Sequence, residues 1–596
     1  MQTTNEKLDA LRQAMKLADI QAYLIPSSDP HMSEYLPDHW RTRAYFSGFT
    51  GSAGTLIITQ EESGLWTDGR YFIQAERQLS GSEIVLYRMG EKNVPTVKQF
   101  LKDHLSANQT LGLDGMVAPA SLIHELNKQF AEKQIQIRDV DLTSALWPDR
   151  PAIPCTPVFQ HDLAYAGQSA KQKIEVLREK LRENKATATL VTGLPAVAWL
   201  LNLRAADVKY NPFVLGYCFI SASKAVFFVD PARLEAPLKD ALASEGVSVE
   251  PYDSFLSYLK QYSEDEKIYA DDAQLTYALY SALDRNPHFE MIPGADLVNA
   301  LKAVKNPVEI ENLIYAHKKD GCAMVRFQME LERRMAKGET ISELDIGEML
   351  KKYRFEQPKC MGESFSTIAA YGGNAAMMHY SPTKENHAVL EPHGFLLVDS
   401  GAHYLDGTTD ITRTYALGDL TQEEKEFYTY VLRSNLSLNQ AVFMEGCSGA
   451  NLDILARSAV WAHGIDYRCG TGHGVGFFGA IHEGPHSMRV TNTVPFVPGM
   501  LVTDEPGIYE EGRVGIRIEN ELLCVERMET AYGRFYGFDA VTFCPIDVTP
   551  VLPELLGQEQ IDSLNAYHEK VYRELSPMLN QEECQWLKSK TAPIGK

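Results

Sequence analysis

Asp399 and Asp410 stand eleven residues apart in the run DSGAHYLDGTTDITR, residues 399–413. Two carboxylates held side by side repel each other unless a proton or metal cations lie between them. Three later stretches bring further candidates: His473 in CGTGHGVGFFGAIHEGPH, Glu505 in MLVTDEPGIY and Glu519 in GIRIENELLCV. His473 sits among Gly470, Gly472, Gly474 and Gly476, which let backbone approach a site closely. Four carboxylates and one imidazole form a hard, oxygen-rich donor set, suited to two divalent ions of the manganese, cobalt or iron kind better than to a thiolate-type zinc site. Two such ions would balance the four negative charges and leave room for a bridging hydroxide, because metal-bound water loses a proton near neutral pH. Singly these residues say little, since a glycine-flanked histidine is usually a loop residue and a strand-end glutamate a solvated cap. Their ordered combination is what points to a metal centre.

The elements that must position them follow from local pattern. The apolar run Phe395 to Val398 reads as a buried strand ending at Asp399, and Thr408 to Tyr415 alternates as a second strand with Asp410, Thr412 and Thr414 on one face. Asp406 and Gly407 suit a turn between the two, giving a hairpin that sets Asp399 beside Asp410. A further apolar strand ends at Asp504 and Glu505, where Pro506 and Gly507 follow. In 515–525, Ile516, Ile518 and Asn520 alternate with Arg517, Glu519 and Glu521, so Arg517 and Glu519 are expected to share a face. There Arg517 is suited to pair with Asp399 or another liganding carboxylate and fix its orientation.

The chain around these motifs has 596 residues, room for three or four domains of roughly 150 residues each. A hydrophobic fraction of 44% is that of a globular protein, and a net charge of -22 argues against a nucleic-acid partner, which would call for a basic footprint. Nine cysteines are scattered without a CxxC, which reads as reduced thiols rather than a disulfide framework. The opening MQTTNEKLDALRQ has no basic and apolar leader, and no stretch approaches about eighteen uninterrupted apolar residues. A cytoplasmic enzyme with no membrane partner is expected.

The first half repeats itself in pattern. Leu8, Leu11 and Met15 before AYLIP (22–26) match Ile174, Leu177 and Leu181 before ATLVT (188–192) at a constant offset of 166 residues. LWTDGR (65–70) and VFFVDPAR (226–233) are each an apolar strand closed by Asp and a turn. Between the copies, WPDRPAIPCTP (147–157) carries four prolines in ten residues, excluding a helix or central strand. FSGFTGSAG (46–54) lacks a nucleotide-binding pattern and is expected to form a turn between strands. A long amphipathic helix is expected from Val308 to about Ala336. Near the end, Ile561, Leu564, Tyr567, Val571 and Leu575 share one helix face, the pattern of a core or interface stripe. The class is α/β (α+β), with domains at 1–150, 158–305 and 306–527 and an extension at 535–596.

The order of Asp399, Asp410, His473 in GTGHGVG, Glu505 in TDEPG and Glu519 in GIRIEN resembles the pita-bread metallopeptidases of family M24, which include methionine aminopeptidase, prolidase and creatinase-like members. Within that family the chain resembles the Xaa-Pro aminopeptidases of the cytosolic three-domain type. The resemblance covers nearly the whole length, through SGFTGSAGT, WTDGRYFIQA, WLLNLRAADVKYNP, MMHYSP, HEGP and the final helical extension. It implies two creatinase-like N-terminal α/β domains, a pita-bread catalytic domain and a short C-terminal extension. It also implies two divalent ions per subunit, manganese first, with cobalt, iron or zinc as alternatives. Asp399 and Asp410 would hold one ion, with Asp410 a candidate bridge, and His473 and Glu505 the other, with Glu519 bridging. His379 in MMHYSP and His482 in HEGP would bind substrate and polarise the scissile carbonyl, a task a hydrogen-bond donor can perform. The implied reaction is hydrolysis of the bond between an N-terminal residue and a following proline, with the hydroxide as nucleophile and Glu505 as proton shuttle. The N-terminal domains would narrow access to a free amino end. The implied partners are peptides beginning Xaa-Pro and a second subunit in a homodimer, the C-terminal extension being one place for that contact. One departure from what the resemblance implies stands out: members of this type usually have histidine four residues before the metal-binding His, where this chain has Cys469, a weaker donor. The rival readings are a prolidase restricted to Xaa-Pro dipeptides, a metal-free creatinase-like hydrolase, and a non-catalytic peptide-binding module.

Overall fold

A computed structural model describes residues 2–595. The chain forms two compact units, one made of residues up to Asp162 together with Gln168–Val298, the other of Leu163–Gly167 together with the chain from Asn299 onward.

The first unit holds two six-stranded sheets of identical strand order. In the first, Ala22–Pro26 lies between Thr55–Thr59, antiparallel, and Thr110–Leu113, parallel. In the second, Ala188–Val191 lies between Tyr217–Ser221, antiparallel, and Glu266–Ala270, parallel. Each of these strands follows a capped amphipathic helix. Thr3 and Glu6 box the start of Thr4–Leu17, which buries Leu8, Leu11 and Met15; Ser169 and Gln172 do the same for Ala170–Glu183, which buries Ile174, Leu177 and Leu181. The proline-rich 147–157 carries neither helix nor strand. The glycine-bearing 46–54 departs from expectation: it joins a helix, Thr42–Ser47, to the strand Thr55–Thr59. Gly48 ends that helix at φ +75°, and Arg43 reaches from the helix to the Phe49 and Gly51 carbonyls, satisfying a loop that a turn between strands would have left to ladder bonds.

In the second unit the helix Pro307–Ala336 starts from an Asn306–Glu309 capping box. It is less one-sided than its periodicity suggests, because every residue from Lys319 to Val325 is buried. The charges there are paired: Lys319 Nζ lies 2.6 Å from Asp406, while Arg354 bonds Asp320 at 2.9 and 3.0 Å and Tyr404 donates to it at 2.9 Å. That pairing also relocates an expected turn. Phe395–Ser400 and Ile411–Ala416 do pair antiparallel, with Asp399 opposite Thr412. The link between them folds into a second hairpin, Ala402–Tyr404 with Gly407–Thr408, in which Leu405 and Asp406 form the tip and Gly407 opens the second strand. Asp406 thus lies in a turn, as a buried ion-pair partner of Lys319.

The stretch 515–525 is likewise two strands. Val514–Arg517 pairs with Gly507–Glu510, the chain breaks at Ile518 and Glu519, and Asn520–Thr530 enters a six-stranded sheet beside Leu501–Asp504 and Gly533–Ala540. The helix Gln558–Leu575 buries Ile561, Leu564, Tyr567, Val571 and Leu575 in one core with Val502 and Leu522, so its apolar stripe is core. Among the described residues no helix is long and apolar enough to cross a membrane.

Candidate metal centre and active site

Asp399 lies near the end of its strand and Asp410 just before the neighbouring one, both almost fully buried. The Asp410 main chain is held by Glu521, whose Oε1 accepts from Asp410 N at 2.6 Å. Glu519 sits in the two-residue break, where its N–H donates to Thr412 O at 3.1 Å and its Oε2 accepts from Thr412 Oγ1 at 2.7 Å. The break brings Glu519 against the Asp399–Asp410 hairpin, a geometry that a continuous strand would not supply.

His473 is on the short strand Gly472–Gly474, which pairs with both Glu483–Met488 and Leu501–Asp504. Its flanking glycines are sterically required: a Cβ at Gly472 would collide with the Thr503 carbonyl and one at Gly474 with that of Glu483. Nδ1 of His473 is 3.0 Å from Gly474 O, a contact that assigns the proton to Nδ1 and turns the Nε2 lone pair inward. Nε2 lies 3.6 Å from Asp410 Oδ2 and 3.3 Å from Glu505 Oε1. One ligand atom each from Asp410, His473 and Glu519 falls within 4.8 Å of the others. Glu505 follows directly on the strand Leu501–Asp504 and accepts from Thr503 Oγ1 at 3.2 Å.

Burial pushes the Asp410 carboxyl well above the usual carboxylate range, and repulsion from Glu519, Asp399 and Glu505 adds to it. Glu519 is driven up by burial and by the charges of Glu505 and Asp399; Glu505 is raised by burial and held back by Arg517. Asp399 Oδ1 is buried with no hydrogen-bond partner. A buried cluster of mutually repelling acids with an orphaned oxygen, closed by an imidazole whose lone pair faces inward, fits hard divalent cations.

Arg517 ties the cluster together. Nη2 donates to Asp399 Oδ2 at 2.5 Å, Nε to Thr412 Oγ1 at 3.1 Å and Nη1 to Tyr509 Oη at 2.8 Å. His482 packs edge-on against His473, ring centroids 4.3 Å apart. His379 is half-buried in a turn beside Met378, whose carbonyl accepts from Arg517 at 3.5 Å. Cys469 is also half-buried, and burial pushes its thiol up to about 12, so it is neutral at physiological pH. Asp504 is fully buried with neither oxygen hydrogen-bonded, and burial, with the charge of Glu505 beside it, pushes its carboxyl well above the usual carboxylate range.

Sequence reasoning missed Tyr509, the supporting role of Glu521, and the pair Lys302 and Lys305, whose ammonium groups lie 2.8 and 2.5 Å from the buried Glu483 next to His482. Thr412 was legible only as sharing a face with Asp410. The lysines carry a faint signal, two cations in LKAVKNP at the foot of a long helix, but nothing local says that they are buried.

Residues 311–526 match the sequence model of metallopeptidase family M24, residues 7–146 and 149–309 each match a creatinase/prolidase N-terminal domain, and 534–594 match the C-terminal region of peptidase M24. Aminopeptidase P2 of Arabidopsis thaliana is 37% identical across 99% of this chain and 89% of its own length. The chain belongs to the aminopeptidase P branch of metallopeptidase family M24. A probable Xaa-Pro aminopeptidase P of Laccaria bicolor is 38% identical over 99% of this chain and 94% of its own. Among solved structures, the X-prolyl aminopeptidase of Caenorhabditis elegans, described as a cytosolic enzyme with a di-nuclear active site, superposes over 100% of both chains with a TM-score of 0.95 at 32% identity. Membership in M24 makes this chain a metallopeptidase, and the two creatinase-like domains followed by a pita-bread domain are those expected from its motifs.

Proposed function

We propose that the protein removes an N-terminal residue that precedes proline, as a Xaa-Pro aminopeptidase using two divalent ions, manganese in first place. The observation that carries this reading is the convergence of Asp410, His473 and Glu519 within 4.8 Å, with Asp399 and its unpartnered Oδ1 beside them. Asp399, Asp410, His473, Glu505 and Glu519 would hold the ions. When bound, these supply a water acidified to near-neutral pKa and a Lewis acid for the scissile carbonyl.

The chain's own groups do the rest. Glu505 takes a proton from the attacking water and passes it to the departing proline nitrogen, a task suited to a carboxylate whose pKa is raised by burial. His482 and His379 donate hydrogen bonds to the carbonyl oxygen as negative charge gathers on it. Arg517 holds Asp399 Oδ2 and leaves the buried Oδ1 without a hydrogen-bond partner, the oxygen that would be free to hold an ion. The neutral Cys469 can give only a weak hydrogen bond at this position. We assign residues 1–150 and 158–305 to the two creatinase-like domains, 306–527 to the catalytic domain and 535–596 to the extension, in a cytoplasmic homodimer.

The test is a panel of peptides with and without manganese. Release of the first residue from a longer Xaa-Pro peptide, lost in Asp410→Ala, supports the reading. Turnover of Xaa-Pro dipeptides alone would replace it with a prolidase, and binding without metal-dependent turnover would leave a peptide-binding module.

A further inference from the structure

Arg413 follows Thr412 in the strand beside Asp399 and is 1% exposed. A guanidinium has five N–H donors, and those of Arg413 meet neutral acceptors. Nε reaches Pro545 O at 3.0 Å; Nη1 reaches Thr412 O at 2.9 Å and Glu519 O at 2.5 Å; Nη2 reaches Cys544 O at 2.8 Å, Asn520 Oδ1 at 2.9 Å and the Tyr567 hydroxyl at 2.9 Å. Thr412 belongs to the hairpin, Glu519 to the strand break and Asn520 to the start of the strand that follows, the elements around the candidate metal cluster. Cys544, Pro545 and Tyr567 belong to the C-terminal segment, to which no task in the reaction has been given.

Tyr567 is on the inner face of the helix Gln558–Leu575. Its hydroxyl accepts from Arg413 and lies 2.8 Å from Cys544 O and 3.1 Å from Asn520 Oδ1, so its single proton stays within the same network. The next residue, His568, accepts from Ile546 N at 3.1 Å and fixes the 544–546 segment from the same helix. The chain of contacts therefore runs from the C-terminal helix through Arg413 to the carbonyl of Glu519, whose carboxylate is set by Thr412.

We propose that the C-terminal segment braces the metal cluster, with Tyr567 a positioning residue that holds Glu519 in ligating geometry through Arg413. The proposal rests on the reading of Glu519 as a metal ligand. Tyr567→Phe keeps the ring in the core and removes only the hydroxyl. Ile561→Ala removes buried apolar volume from the same helix, more than a turn before Tyr567, and touches no hydrogen bond of Arg413 or of residues 544–546, so it separates bracing from general loosening.

The readouts are manganese titration of the metal-stripped full chain by calorimetry at 25 °C, melting temperature, and kcat and KM on an Xaa-Pro tripeptide. Partners that orient metal ligands typically contribute about 10–100-fold in affinity. Tyr567→Phe should weaken manganese binding at least about tenfold and lower kcat at fixed subsaturating metal, with KM within about threefold of wild type. Ile561→Ala should lower the melting temperature with metal affinity unchanged. Wild-type metal affinity in Tyr567→Phe overturns the proposal, as does loss of affinity in both variants in proportion to melting temperature. A wild-type chain that binds no manganese sinks the metal-centre reading itself, a failure distinct from that of the brace.

Discussion

Asp410→Asn should change stability in opposite directions with and without metal. In the metal-free protein the Asp410 and Glu519 ligand atoms lie within 4.8 Å of each other in a buried site. At that distance two unit charges in a partly screened interior repel by up to about 3 kcal/mol. The asparagine amide removes this repulsion at nearly constant volume. A unit of about 300 residues melts with an entropy of about 0.6 kcal/mol/K, so the metal-free variant should melt up to about 5 °C above metal-free wild type. Metal reverses the order. Two ions at free concentrations about 100 times their Kd stabilise wild type by about 5 kcal/mol, or about 8 °C, and Asp410→Asn should lose most of that gain because it loses a charged ligand. Differential scanning calorimetry in chelator and in manganese reads both numbers. If the variant melts lower by the same amount in both buffers, Asp410 is an ordinary structural carboxylate. If wild type does not respond to manganese at all, the cluster is not a metal site.

Arg517→Lys replaces a fork that reaches Asp399, Thr412 and Tyr509 with a single ammonium. The kcat should fall roughly 10–100-fold with KM changed less than about threefold, and an unchanged kcat would remove Arg517 from the machinery. Burial, reinforced by the charge of Arg413, pushes His568 down to about 4, below the ~6.5 of an exposed imidazole. The unfolded chain therefore binds the extra proton, so this contribution to stability is whole above pH about 6.5 and falls by about 3 kcal/mol as pH drops to 4. His568→Leu should flatten that acid limb in urea titrations between pH 7 and 4; an equally steep limb would show that other groups cause it. Arg354→Leu leaves the Asp320 carboxylate buried without its cation and should cost about 3–5 kcal/mol, seen as a fall of several degrees in melting temperature. A melting temperature within a degree of wild type would mean that Lys319 or water takes over the charge.

The acids and the histidine that the structure brings together could be picked out of the sequence as candidates because they are carried by local patterns that survive folding: an apolar strand ending in Asp, a histidine among glycines, a strand ending in Glu-Pro-Gly; it was the family resemblance that named them as a metal set. Each pattern is decided within a few residues, so it needs no knowledge of the rest of the chain. The errors fall where the deciding contact is distant. Asp406–Gly407 is a sound turn signal, yet which hairpin it closes is settled by the ion pair with Lys319 on a helix far back in the sequence. The alternation through 515–525 predicts one strand with two unlike faces. In the structure both faces are buried, so burial no longer distinguishes Arg517 and Glu519 from Ile516 and Ile518. The alternation then runs unbroken over the point where the chain leaves one sheet for another, and that hidden break is what delivers Glu519. The C-terminal stripe shows the same limit. Its period says that one face of the helix is covered, but only the fold says that Tyr567 on that face meets Arg413. Candidate ligands can thus be picked out by motif, whereas the groups packed around them, such as Glu521, Arg413 and Tyr567, come from contacts that no sequence period encodes.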